Sequence, residues 1–199
     1  MGIKTAHREL TDQLCHQAHK MYQLRYQMSN GGNLSARVPG SNYMIVKGTD
    51  VDFSNVSFDT LTVCDFDTNV LDGNIKPSKE ALLHAAIYRR FPQIMAIMHC
   101  HSPWATALAA GQSQLTFSTY HATMKLKGYC PVFDTGSYIV PPQWIDLILS
   151  DIESHPEMNS FLLRGHGQVT MGKTIHEAAS LAELVEETAQ IALLAKFSG

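Results

Sequence analysis

The chain has 199 residues, of which 45% are hydrophobic and 17% charged, a balance that permits a packed core and excludes an intrinsically disordered chain. The formal charge of -3 offers no basic field to nucleic acid, so a polyanion partner is not expected. No apolar run approaches the ~18 residues of a membrane span and no leader-like stretch follows Met1, which points to a cytoplasmic protein with no membrane partner. A chain of this length buries roughly two-thirds of the surface its unfolded form would expose, and one unit over residues 1–199 is expected. Cys15, Cys64, Cys100 and Cys130 show no paired spacing and read as reduced thiols.

The first element is a helix from about Glu9 to Met28, with Leu10, Leu14, Ala18, Met21 and Leu24 on one face, ending at Ser29-Asn-Gly-Gly-Asn33. Strands follow at Leu34 to Val38, Tyr43 to Val46 and Leu61 to Phe66. Helix returns over Ser78 to Phe91, with Ser78 as its cap and Glu80 in the first turn. Ile94 to His101 reads as a strand, and Ser102-Pro103 as an N-cap followed by proline at the first helical position. A short helix from near Ser118 ends by Gly128, and another opens at Pro142 and runs to about Glu153. Phe161-Leu-Leu163 and Val169-Thr-Met171 form a glycine-interrupted strand or strand pair around Gly165-His166-Gly167. A capping box at Thr174 to Glu177 opens a last helix reaching about Lys196. The sum is an α/β fold with a central mixed or antiparallel sheet flanked by helices.

Three groups of residues carry chemistry. At the end of a strand, a period of two turns His99 and His101 to one face, where they can share one ion. A catalytic metal site takes three protein ligands and leaves a position open, and His166 between its two glycines is the best third candidate. Glu80 is either a favourable charge in a helix's first turn or a general base beside that metal. His84, one turn on, reads as a packed helix residue rather than a fourth ligand. Gly31-Gly-Asn-Leu-Ser35 and Gly48-Thr49 supply flexible donors suited to a phosphate or hydroxyl cradle, although ordinary turns share that composition.

Gly-Asn-Leu-Ser at 32–35, Lys-Pro-Ser-Lys-Glu at 76–80, His-Cys-His-Ser at 99–102 and Arg-Gly-His-Gly at 164–167 together resemble the class II aldolase/adducin family. The resemblance spans nearly the whole chain and implies a three-layer α/β/α domain. It also implies Zn²⁺ on His99, His101 and His166, acid–base chemistry at Glu80, and phosphate contacts at Asn33, Ser35, Gly48, Thr49 and Ser78. Lys79 stands where many of these aldolases have a second serine and adds a cation. Lys47-Gly48-Thr49-Asp50 also departs from the family's usual loop.

The implied activity is metal-dependent lysis of a small phosphorylated ketose through a zinc-stabilised enediolate. Dehydration of methylthioribulose phosphate and decarboxylation of a 3-oxo acid phosphate are alternatives, because both pass through a similar enolate. A non-catalytic adducin-like interaction module is the alternative from a different class. The resemblance further implies a homo-oligomer, a tetramer, to whose contacts Trp104 and Trp144 are candidates. No tyrosine follows Tyr138, so the C-terminal tyrosine that these aldolases borrow as proton donor is missing, and Tyr120, His121, Tyr129 or Tyr138 is expected to replace it.

Overall fold

The computed structural model describes residues 2–196; the remaining positions at both ends, including the chain end at Gly199, lie outside the described residues. Nine strands form one sheet: β1 (Asn33–Arg37), β2 (Tyr43–Lys47), β3 (Leu61–Asp65), β4 (Val70–Asp72), β5 (Ala96–Cys100), β6 (Gln114–Leu115), β7 (Cys130–Phe133), β8 (Ser160–Leu163) and β9 (Gly167–Gly172). Their order is β4-β3-β2-β1-β5-β9-β8-β7-β6. Every pairing is antiparallel except β7 with β8, which makes the sheet mixed. Seven α-helices accompany it: α1 (Ile3–Ala6), α2 (Arg8–Gln23), α3 (Ala81–Arg90), α4 (Pro103–Gly111), α5 (Tyr120–Lys125), α6 (Pro142–Ser154) and α7 (Ile175–Ala195). None of the described helices is long and apolar enough to cross a membrane.

The alternation of side chains along central strands decides which layer each residue joins. On β5, Ile97 packs with the cluster containing Leu83, Ile87 and Ile148 of α3 and α6. Its neighbours Ala96, Met98 and Cys100 face the opposite way, toward Leu14 and Ala18 of α2 and Ala178 and Ala182 of α7. A third cluster joins α4, α5 and α7 through Ala105, Leu108, Ala122 and Val185. Helices thus cover both faces, giving the three-layer α/β/α arrangement. Trp104 and Trp144 are half-buried against the third and first clusters respectively.

Two boundaries differ from the sequence reading. The first long helix stops at Gln23 rather than Met28, because Arg25 takes a left-handed φ of 61° and Tyr26 N–H returns to the Met21 carbonyl. A helix cannot continue through that conformation. The second helix begins at Ala81, with Glu80 as its N-cap residue and no side-chain cap. Ser78 therefore does not cap it: its hydroxyl accepts only a long 3.4 Å bond from Glu80 N–H. The glutamate side chain is thereby left free to turn elsewhere.

A candidate metal and acid–base site

β5 carries His99 on the same face as Ile97, directly opposite Asn33 of β1 and Val169 of β9. His101 follows where the strand ends, and its main-chain N–H donates to Gln27 Oε1 at 2.8 Å. The chain then enters α4 through Ser102 and Pro103. His166 comes from the tight hairpin loop between β8 and β9, where Leu163 pairs with Gly167 and the His166 N–H closes on the Leu163 carbonyl at 3.1 Å. Two glycines permit this convergence. A Cβ at Gly167 would lie 2.3 Å from the Cys100 carbonyl oxygen, and one at Gly32 would lie 2.7 Å from that of His99. Either side chain would hold the loops off the end of β5.

The three imidazoles meet through their Nε2 atoms, His99 lying 3.1 Å from His101 and 3.2 Å from His166. Among the described residues they are the group of three able to hold a metal ion. Tetrahedral nitrogen ligation of Zn²⁺ at ~2.0–2.1 Å implies nitrogens about 3.3–3.4 Å apart, so the observed spacing fits. Chemistry agrees with geometry. His99 Nδ1 lies 2.8 Å from the Gln168 carbonyl, which only an Nδ1–H can donate to, leaving the Nε2 lone pair bare. Burial, with neighbouring imidazoles, pushes the His99 pKa well below its usual value and that of His166 down to about 3; burial also lowers that of His101, against the pull of Glu80. All three rings are therefore neutral near pH 7, as a cation requires.

Glu80 completes the group from the start of α3. The segment before it is held beside the end of β2 by the Gly48–Pro77 bridge and by Ser78 N–H donating to the Lys47 carbonyl. Its Oε2 accepts from Asn33 Nδ2 at 2.8 Å and lies 3.2 Å from His99 Nε2, while Oε1 lies 3.9 Å from His166 Nδ1. Both Glu80 Oε1 and His166 Nδ1 are buried without a hydrogen-bond partner. Burial raises the carboxyl pKa, opposed by His166 and the Asn33 bond. A carboxyl so placed can both take and return a proton.

The group opens into a cleft of about 350 Å³ lined by Asn33, Thr49, Ser78, Lys79, Glu80, His101 and His166. His99 lies buried beneath it. Of the residues expected to contact phosphate, two do not line it. Ser35 is fully buried, its hydroxyl 2.7 Å from both His84 Nδ1 and Tyr88 Oη; Gly48 is packed where a Cβ would meet Ile75 and the Thr60 carbonyl. Lys47 and Asp50, which sequence marks only as departures from the family's usual loop, also line the cleft, as does Tyr138. Of the four proton-donor candidates, Tyr138 alone does so: Tyr129 bonds Asp151, Tyr120 is almost wholly exposed on α5, and His121 lines a different cavity.

The α/β sheet thus brings three imidazoles able to hold a metal ion and a buried carboxyl to one cleft. Residues 12–193 match the class II aldolase and adducin N-terminal domain, and the chain belongs to that family. It is 33% identical over 175 residues to an L-fuculose phosphate aldolase of Methanococcus maripaludis, covering 87% of this chain and 90% of that protein. It is 32% identical over 193 residues to a 3-oxo-tetronate 4-phosphate decarboxylase of Haemophilus influenzae, covering 94% and 86%. A solved L-fuculose 1-phosphate aldolase superposes with a TM-score of 0.86 at 26% identity, covering 96% of this chain and 88% of that one.

Proposed function

We propose that the chain is a metal-dependent lyase that breaks a carbon–carbon bond in a small phosphorylated ketose. The observation that carries this is the meeting of His99, His101 and His166 at 3.1–3.2 Å beside a Glu80 carboxyl bonded to Asn33. The three imidazoles would hold Zn²⁺, which when bound supplies a Lewis acid for the oxygen where negative charge develops. Glu80 moves the proton at the donor carbon, and Asn33 Nδ2 holds the carboxylate's other edge so that it faces the cleft. Thr49, Ser78 and Lys79 receive the phosphate; Ser35 and Gly48 support that wall from behind. Tyr138, 74% exposed at the cleft mouth, takes the hydroxyl proton of the leaving fragment as that fragment becomes an aldehyde, and is the proton donor in the reverse addition. The same reading places the enzyme in the cytoplasm as a homotetramer.

Decarboxylation of a 3-oxo acid phosphate is the second reading, favoured by Lys79, whose ammonium adds a cation suited to a second anionic group. Retention of all three imidazoles opposes a purely structural, adducin-like role. Glu80→Gln tests the assignment: it keeps the shape but cannot accept the proton, so turnover falls about 10²–10⁴-fold with metal content unchanged. In heavy water, wild type given dihydroxyacetone phosphate exchanges the donor-carbon proton and the variant does not. Near-normal turnover by the variant would remove Glu80 from this role, and no exchange in metal-loaded wild type would favour the decarboxylase.

A further inference from the structure

Lys47, the last residue of β2, lines the cleft yet is 1% exposed. Alternation along β2 sends Met44 and Val46 toward α3 and α6, and sends Ile45 and Lys47 toward the other layer, where the ammonium lies 5.9 Å from the centre of the Phe53 ring. No carboxylate lies within ion-pair distance of it among the described residues. Instead Nζ donates to three main-chain carbonyls: Val51 at 2.6 Å, Gly48 at 3.3 Å and Asn30 at 3.4 Å. These belong to the two loops, 28–32 and 48–52, that form one wall of the cleft. Asp50 and Asp52 favour the charged form from beyond ion-pair distance, but burial outweighs them and pulls the Lys47 pKa down to about 8, so the carbonyl dipoles offset only part of the cost of burying this cation.

A trans peptide points its N–H opposite to its C=O. With the Asn30 carbonyl turned to Lys47, the Gly31 N–H is turned away from it. Gly31 lines the cleft, and a Cβ there would lie 2.7 Å from His101 Nδ1, so this backbone stands at the edge of the imidazole group. Its N–H takes no acceptor among the described residues. The buried charge behind the wall, with no carboxylate in direct contact, and a free donor on its front both suit an anion entering the cleft.

We propose that Lys47 is a positioning residue for the anion-holding end of the cleft, turning the Asn30–Gly31 peptide so that Gly31 N–H meets a phosphate and drawing that phosphate in through the wall. Its own three protons are engaged, so it acts without touching the ligand. The inference rests on the reading that the substrate carries a phosphate, and it adds a residue that lies outside the contacts assigned above.

Inorganic phosphate titrated calorimetrically into the purified, metal-containing protein reads the effect without turnover. Lys47→Met weakens phosphate binding about tenfold or more, as expected when a partly buried opposite charge is removed from near an ion. The melting temperature stays level or rises, since a buried cation has been replaced by an apolar chain of similar length; a residue that only staples loops would lower it. Phosphate affinity within twofold of wild type in Lys47→Met, or no phosphate uptake by wild type at millimolar concentration, would overturn the proposal. If the variant does not fold, the wild-type Gly31 amide resonance decides: it shifts on phosphate addition if the proposal holds and stays still if it does not. Failure of the lyase reading shows separately, as normal turnover in Glu80→Gln with phosphate binding intact.

Discussion

Two concavities lie at opposite ends of β5 and β9 among the described residues, and they are built differently. The larger, about 740 Å³, has a floor of Ile94, Ile152, Met158, Met171 and Leu184 and carries His121, His176 and three lysines at exposed positions. The smaller, about 350 Å³, is walled by short polar residues and glycine, and its imidazoles and carboxyl converge. Volume alone would choose the first. Chemistry requires groups desolvated, neutral where a cation must bind and fixed in direction by second partners, as Gln168 and Asn33 fix His99 and Glu80. Only the smaller concavity meets that description.

The strongest way to break this comparison is His99→Ala. If the proposed site holds the metal, removing the imidazole shared by both short Nε2 contacts lowers metal affinity by more than about 10²-fold, beyond the loss typical of a supporting partner. Turnover then falls at least as far as in Glu80→Gln. Metal analysis after dialysis, with rates on the same sample, checks it, and metal retained at wild-type stoichiometry would dissolve the distinction between the two concavities.

A smaller effect concerns pH. Burial holds the His84 pKa down to about 3, so between there and its ordinary value of 6.5 the unfolded chain binds a proton that the folded chain refuses. Stability contributed by the neutral ring is full above the unfolded value and declines as pH falls below it, by at most about 1.4 kcal/mol per pH unit for one group. His99 and His166 add to this slope in chelator-treated protein, because their values are depressed too. Urea midpoints of such protein at pH 7 and pH 5 should therefore differ less in His84→Gln than in wild type. An unchanged difference would mean that His84 is protonated in the fold.

The smallest effect is a control on the other end. Lys173→Ala, at the rim of the larger concavity, is expected to change kcat/KM less than about twofold, as an exposed substitution remote from any special feature does. A tenfold change would give that end a part in the reaction and force the two regions to be considered together.

Much of the site was legible because it depends on local pattern. The period of two at His99 and His101, the proline after Ser102 and the glycines around His166 each act over a few residues, and the structure brings those imidazoles together. Ser35 shows where local reading stops. It shares a face with Asn33, as a polar run suggests, but that face meets α3, where His84 and Tyr88 wait one turn apart and take its hydroxyl. Nothing in residues 31–35 announces α3. Likewise the helix end at Gln23 depends on one left-handed residue inside an unbroken apolar pattern. The sheet order, the short strands β4, β6 and β7, and the three carbonyls around Lys47 arise from packing between segments distant in sequence.

The central place of β5 has a consequence for how the protein is made. His99 and His166 are 67 positions apart, and Asn33 and Glu80 are 47 apart, so the site exists only after long-range strand pairings close on both sides of β5. Loop closure of that kind is slow relative to helix formation. At the ~5–20 residues per second of synthesis, the ribosome needs roughly 3–13 s after making His99 before it adds His166. Throughout that interval the nascent chain presents two of its imidazoles without the third, so any cation that needs all three can enter only once the sheet is finished.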